Sequence, residues 1–238
     1  MANPYPIPGE YHPALKTDEG NIIFNTLGID TNLIENRKQI PGIAVIGSIN
    51  RSTNPWAINY DDWESTAKNI IDQPSIVNIY IKPDINFRTR ELTVEVEYYY
   101  TDDSPAEENY LTVMLLQNEI IGYQSNGILN PEYLVDKKKN EYRHMHTLRK
   151  VISNGGVWGD PITDTKKGSY ECRKYTIVLP DSINNVKLDI ENLEIAAFIS
   201  ESKDNIYTGY NVVIPPPEDI KTDLSLIDVS PYHNNYKF

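Results

Sequence analysis

Two histidines stand at a spacing that metal sites often use. His144 and His146 are one residue apart, and on a β-strand this spacing puts both imidazoles on the same face. A third ligand would have to come from Glu141 or from a neighbouring strand. Because two histidines alone bind a metal weakly, a pair of edge or solvent-facing side chains is the simpler interpretation. We therefore predict no metal site and keep His144 and His146 only as weak candidates.

The chain shows no motif for nucleophilic catalysis or phosphate binding. It contains no Gly-x-Ser-x-Gly turn. Its one cysteine, Cys172, lies in an alternating run typical of a strand and cannot form an internal disulfide. The glycine-rich stretch 154–159 has no helix pattern after it, so it predicts a hairpin loop with positive φ rather than a phosphate cradle. We predict that the protein is not an enzyme and needs no cofactor.

Aromatic residues point instead to a binding surface. The chain has 17 tyrosines and only 4 phenylalanines, and tyrosine suits strands and half-wet faces. Tyr98, Tyr99 and Tyr100 are consecutive, and because side chains alternate along a strand, at least one ring must face outward. These three tyrosines are the candidate binding surface for a peptide or a sugar. Packing in the core and at strand edges is the alternative.

Charge and hydropathy limit the partners. The chain carries 34 acidic and 22 basic side chains, a net charge of −12. An acidic surface repels phosphate backbones, so we expect no nucleic-acid partner. No stretch approaches the roughly 20 apolar residues that span a bilayer, which predicts no transmembrane segment. The first residues lack the basic and apolar regions of a signal peptide. A protein, a peptide or a glycan is the expected partner.

The second part of the sequence has the pattern of a β protein. From residue 75 onward the hydrophobic period is two, and Leu92–Tyr100 is the clearest run, with one apolar and one charged face. Further strand candidates are 77–81, 110–118, 145–153, 170–179, 193–200 and 206–214. Residues 126–141 are expected to form a long connection. We predict a mainly β fold in which residues 75–216 form an antiparallel β-sandwich.

The first part, residues 1–74, has a different pattern. It starts as proline-rich coil, and a short helix within 21–36 is one of two interpretations there. Trp63 and three later apolar residues fall on one face of a helix that Pro74 ends. We assign this part to a small α/β segment, and residues 217–238, which begin at the last of three prolines, to a C-terminal tail.

Three motifs follow one another in the second half: a His- and Arg-rich stretch at 142–149, a Trp-Gly turn at 154–162, and an Ala-Phe strand at 195–199. This order resembles the 28-kDa outer membrane protein family of Bacteroides-type bacteria. The resemblance implies an immunoglobulin-like sandwich behind a thioredoxin-like domain. It also implies a lipoprotein-like protein at the outer membrane or cell surface, with adhesion, binding or accessory roles. Trp158 and Gly159 are expected to be structural, Trp158 as the anchor of the turn.

The first half resembles only the second half of a thioredoxin fold. There Pro41 would be the structural proline, commonly cis, that precedes the third strand. The first βαβ unit is absent or reduced to residues 1–20, and no cysteine pair is present. The chain is therefore expected to be a shortened member or a fragment. A half sheet leaves an open edge, through which a homo-oligomer could form.

Two alternative functions stay open at this point. One is a carbohydrate- or metal-binding accessory domain of an exported hydrolytic system, which aromatic rings lining one groove would favour. The other is a remnant of a thioredoxin-related redox protein, which a cysteine pair in a longer native gene would favour.

Overall fold

The computed structural model of the chain describes residues 15–26, 45–48, 57–59, 63–71, 73–123, 131–137, 141–203 and 205–215. The described helices are α1 (Asp18–Thr26) and α2 (Trp63–Ile71). The described strands are β1 (Val45–Ser48), β2 (Ala57–Asn59), β3 (Val77–Asn86), β4 (Glu91–Tyr100), β5 (Asn109–Gln117), β6 (Ile120–Tyr123), β7 (Leu134–Asp136), β8 (Glu141–His144), β9 (Thr147–Val151), β10 (Asp160–Ile162), β11 (Tyr170–Val178), β12 (Ser182–Ile183), β13 (Val186–Lys187), β14 (Leu193–Ser202) and β15 (Asn205–Val213).

Two antiparallel sheets form the body of the protein. One has the order β11-β4-β3. In the other, β14 lies between β15 and β5, and both β9 and β10 pair with β5. The inner faces of the two sheets share one core of buried residues. This arrangement confirms the prediction of a mainly β, antiparallel sandwich.

The alternation of side chains explains why these strands form a sandwich. In β4, every second side chain from Leu92 to Tyr100 is buried, and Glu95 and Glu97 lie on the other face. In β14, Ile195, Ala197 and Ile199 point into the core. Each fully buried aliphatic side chain of this kind stabilises the fold by about 1.5–3 kcal/mol.

A third, smaller sheet was not predicted. Strands β6, β8 and β7 pair in that order and lie partly inside residues 126–141, where the sequence pattern indicated only a connection. That expectation is wrong for β7. Strands of three or four residues are too short for an alternation of period two to be recognised in one sequence.

The glycine-rich loop between β9 and β10 has the predicted backbone but not the predicted pairing. Gly156 and Gly159 have φ of 69° and 84°. The prediction of a hairpin is wrong, because β9 and β10 pair with successive parts of β5 and not with each other. Asp160 holds the loop, since its carboxylate accepts hydrogen bonds from the Asn154 and Gly155 amides at 3.3 and 2.5 Å.

Two helices, α1 and α2, lie among the described residues of the first part of the chain. α1 begins after Thr17, whose hydroxyl accepts a hydrogen bond from the Gly20 amide at 3.1 Å. α2 follows the predicted helix and carries an ion pair of 2.6 Å between Lys68 and Glu64. Pro41 lies outside the described residues. The thioredoxin-like segment, the domain limits at 74 and 216 and the tail stay predictions.

Candidate functional site

The outward face of the β11-β4-β3 sheet, which we name the open face, carries side chains in cross-strand rows of three. Each row takes one residue from β3, one from β4 and one from β11, because the register of both pairings is regular. The first rows are Asn78, Tyr99 and Tyr170; then Tyr80, Glu97 and Cys172; then Lys82, Glu95 and Lys174. The face is therefore aromatic at one end and charged next to it.

The first two rows form what we call the tyrosine end: Asn78, Tyr80, Glu97, Tyr99, Tyr170 and Cys172. Tyr80, Tyr99 and Tyr170 are 52%, 46% and 59% exposed. The Tyr170 hydroxyl donates a hydrogen bond of 3.0 Å to Glu97 Oε2. That bond raises the pKa of Tyr170, so the phenol stays neutral. Single exposed aromatic residues are ordinary, but here three lie in adjoining rows of one sheet and form a single aromatic patch.

Two of the three tyrosines predicted to form a binding surface are inside the protein. Tyr98 and Tyr100 are 2% and 0% exposed, and their rings meet edge to face with centroids 6.2 Å apart. The Tyr98 hydroxyl donates to Glu171, and the Tyr100 hydroxyl donates to Asn109 Oδ1 at 2.7 Å. The prediction is wrong for these two residues, because the strand alternation turns only Tyr99 to solvent.

Tyr80 and Tyr170 were missed, and the reason is their distance in sequence. They lie on β3 and β11 and come together only through the register of those strands with β4. An alternating run shows which face a residue occupies on its own strand. It does not show which residue of another strand lies beside it, so one sequence carries no signal for this cluster.

The charges on the open face are unevenly distributed. Lys174 Nζ lies 3.2 Å from Glu95 Oε1, and Lys82 Nζ lies 4.0 Å from Glu95 Oε2. Both lysines of the third row therefore pair with the same carboxylate, that of Glu95. Glu97 takes part in none of the described ion pairs. Burial, together with Glu97 and Glu95, raises the pKa of the exposed Cys172 thiol, which keeps it protonated and slow to react.

A second polar cluster closes the edge of the sandwich between β10 and β11. It lines an open depression of about 250 Å³. Arg173 Nε donates to Glu171 Oε1 at 2.8 Å and Arg173 Nη2 donates to the Pro161 carbonyl at 2.8 Å, while the Tyr175 hydroxyl donates to Asp160 Oδ2 at 2.8 Å. The Arg173 hydrogen bond lowers the pKa of Glu171. These groups bind one another across the two sheets, which is a structural role.

The two candidate histidines do not share a strand face. β8 ends at His144, and His146 has φ of 50° in the bend before β9. Burial lowers the pKa of His144. His146 Nδ1 lies 2.8 Å from Oε2 of Glu194, a carboxylate that is 1% exposed. Among the residues that the structure describes, no group of three His, Cys, Asp or Glu side chains could hold a metal ion.

Trp158 and Gly159 lie where the loop meets the sheet. Trp158 is half-buried, and Lys203 Nζ is 5.1 Å from the centre of its ring. A Cβ atom on Gly159 would come within 2.7 Å of the Leu111 carbonyl. Both observations support structural roles for these residues.

The family model described as "Outer membrane protein Omp28" matches residues 44–214 of this chain, which is most of its length. The chain belongs to the Omp28 family. The resemblance inferred from the motifs is therefore confirmed, and with it a location at the outer membrane or cell surface. The family is one of outer membrane proteins, and its description names no reaction. Neither described helix has the length and apolarity that crossing a bilayer requires.

Two solved structures from Porphyromonas gingivalis are similar to the chain. A domain of the outer membrane lipoprotein Omp28 from Porphyromonas gingivalis is 19% identical, with a TM-score of 0.39, over 61% of this chain and 93% of that chain. HBP35 of Porphyromonas gingivalis is 15% identical, with a TM-score of 0.51, over 81% of this chain and 60% of that chain. The HBP35 likeness shows a shared fold.

A β-glucosidase from Kluyveromyces marxianus is 11% identical, with a TM-score of 0.30, over 68% of this chain and 15% of that chain. At that score the likeness says nothing about activity. No curated protein matches the chain.

Proposed function

We propose that this Omp28 protein is a non-enzymatic binding module at the cell surface and that its partner docks on the tyrosine end of the open face. The observation that carries the proposal is the exposure of Tyr80, Tyr99 and Tyr170 on adjoining rows of one sheet. On a protein at the outer membrane or cell surface, such a surface would serve adhesion or an accessory role.

The physical case rests on what tyrosine contributes to an interface. Its ring offers a large contact area while only two torsions have to be fixed on binding, so the entropic cost is small. Tyrosine is also enriched in the residues that dominate binding energy. Here the rings stand on hydrogen-bonded strands, so the surface is largely formed before the partner arrives.

The other polar clusters favour binding over catalysis. The Arg173 and Glu171 side chains bind each other at the sandwich edge, and Glu194 is held by neighbouring side chains. A general acid or base must reach a substrate proton, and these groups are directed at protein partners instead.

The native thiol offers a direct test. Cys172 is the one cysteine of the sequence and lies in the tyrosine end. We expect a membrane-impermeant maleimide to label Cys172 several times more slowly on intact cells that display the protein than in purified protein, because the partner covers the site. Tyr99→Ala should bring the labelling rate on cells up to that of purified protein.

A matched control uses the other end of the same strand. Val178 is 68% exposed on the open face of β11. In the double variant Cys172→Ser, Val178→Cys, labelling should proceed at the same rate on cells and in purified protein. Equal rates at Cys172 in both settings, with no effect of Tyr99→Ala, would contradict the proposed function.

A further inference from the structure

We propose that the tyrosine end recognises a basic side chain, an arginine or a lysine, on a segment of a partner protein. The inference rests on the proposed function and adds the chemistry of the ligand. It follows from the charges and aromatic rings that the register brings together around Glu97.

The charge of the site selects a cation. Of the six side chains in the tyrosine end, only Glu97 carries a charge at neutral pH, and that charge is negative. The nearest lysines of the open face, Lys82 and Lys174, both lie within 4.0 Å of Glu95 in the next row. Glu97 accepts a hydrogen bond from the Tyr170 hydroxyl but has no cation beside it among the described ion pairs, so it can pair with a positive charge from a partner.

The tyrosine rings supply a second attraction for a cation, in addition to the Glu97 carboxylate. The face of a tyrosine ring attracts a cation that lies within about 6 Å of its centre. The Tyr170 hydroxyl, by donating to Glu97 Oε2 at 3.0 Å, fixes the carboxylate beside a ring. Tyr80 lies opposite Glu97 on β3, Tyr170 lies one row away on β11, and Tyr99 lies two residues along β4. A guanidinium at Glu97 would meet both kinds of attraction.

The whole molecule favours the same ligand. The chain has a net charge of −12, which attracts basic segments over a distance of about 8 Å at physiological ionic strength. It repels acidic polymers in the same way. A neutral glycan gains nothing from Glu97 as a charge, although it could stack on the rings, so it serves as the competing outcome in the test.

The test uses the purified protein and three defined probes. They are an acetylated tetra-arginine amide, the same peptide with citrulline in place of arginine, and the neutral oligosaccharide cellohexaose. Binding is measured by calorimetry at 150 mM salt, and coverage of the site by the rate at which maleimide labels Cys172. We expect tetra-arginine to bind and to slow labelling, and the citrulline peptide to do neither.

Two pairs of variants locate the site. Glu97→Gln and Tyr99→Ala should each weaken tetra-arginine binding about three- to tenfold. Glu91→Gln removes a carboxylate from the far end of the open face on the same strand, and Tyr210→Ala removes a tyrosine that is 51% exposed on β15. Both controls should bind tetra-arginine as the parent protein does.

Each contrary result has a distinct meaning. If Glu91→Gln weakens binding as much as Glu97→Gln, the attraction is general and the inference is overturned. If cellohexaose slows Cys172 labelling and tetra-arginine does not, the basic ligand is wrong while the proposed function stands. If no probe binds but Cys172 is covered on intact cells, the inference again fails alone. Uncovered Cys172 on cells contradicts the proposed function itself.

Discussion

At the scale of single residues, Gly159 is required by space as well as by its backbone angle. Its φ is 84°, and a Cβ atom there would come within 2.7 Å of the Leu111 backbone. We expect Gly159→Ala to lower the free energy of unfolding by about 2–4 kcal/mol, since overpacking adds to the cost of positive φ. Chemical denaturation of the two proteins measures the difference.

Gly168 supplies the control for that substitution. Its φ is 89°, but nothing lies within 4 Å of the position a Cβ atom would take. Gly168→Ala should therefore cost only about 1–2 kcal/mol, the price of the backbone angle alone. Equal losses in the two variants would show that the contact with Leu111 does not matter.

The same residues show what the sequence can predict at this scale. Positive φ in the glycine-rich stretch could be predicted, because glycine alone tolerates it without strain. The contact of Gly159 with Leu111 could not, since it joins residues far apart in the chain. Likewise, alternation indicated that one of three consecutive tyrosines faces solvent, but their partners Tyr80 and Tyr170 depended on register.

At the scale of elements, Glu194 connects three parts of the fold. It lies on β14 and is 1% exposed, and it accepts hydrogen bonds from Asn118 after β5 and from Asn211 on β15. His146, before β9, is its third partner. We expect Glu194→Gln to lower the free energy of unfolding at pH 7 by about 1–3 kcal/mol, because a buried amide then faces the donors that the carboxylate had satisfied.

The pH dependence gives this prediction a second readout. Burial acts to raise the pKa of Glu194, but the hydrogen bonds from Asn211, Asn118 and His146 outweigh it and lower the pKa below its ordinary 4.5. A lowered pKa contributes stability that is present above 4.5 and is lost as the pH falls through the folded value. The difference between parent and Glu194→Gln should therefore shrink in acid.

Glu91→Gln, which removes an exposed carboxylate from β4, controls for the loss of a charge. Thermal unfolding between pH 3 and 7 measures all three proteins. If the gap between the parent and Glu194→Gln were constant over that range, the hydrogen-bonded carboxylate would not be its source.

Element length decides how well the strands could be predicted. Most of the long strands (β4, β5, β11, β14 and β15) lie within a few residues of their predicted limits, because nine or ten residues display several alternations. β3 is an exception, since it runs to Asn86 whereas its alternation predicted an end at residue 81. The short strands β6, β7 and β8 display only one or two alternations. The spacing argument for the histidine pair failed because it assumed one continuous strand through both residues, whereas a bend separates β8, which ends at His144, from β9, which begins at Thr147.

At the scale of the whole molecule, the sequence indicated the class of fold but not the partners of its strands. Charge and alternation are properties of each segment, whereas the order β15-β14-β5 is set by which surfaces fit together in three dimensions. The open face depends in the same way on the order β11-β4-β3 of the other sheet, which places β4 between β3 and β11 with its charged side outward.

The same order predicts an uneven distribution of stability. β4, β5 and β14 have strand neighbours on both sides and contribute most of the shared core, so their amides should open only when the whole sandwich unfolds. β11 has one described strand neighbour, and the β6-β8-β7 sheet contributes little to the core. Hydrogen exchange followed by mass spectrometry should find the slowest amides in β4, β5 and β14. Equal protection in β6 and β8 would mean that the small sheet unfolds together with the sandwich rather than separately. Faster exchange in β11 than in β4 would agree with the edge position of β11 in its sheet.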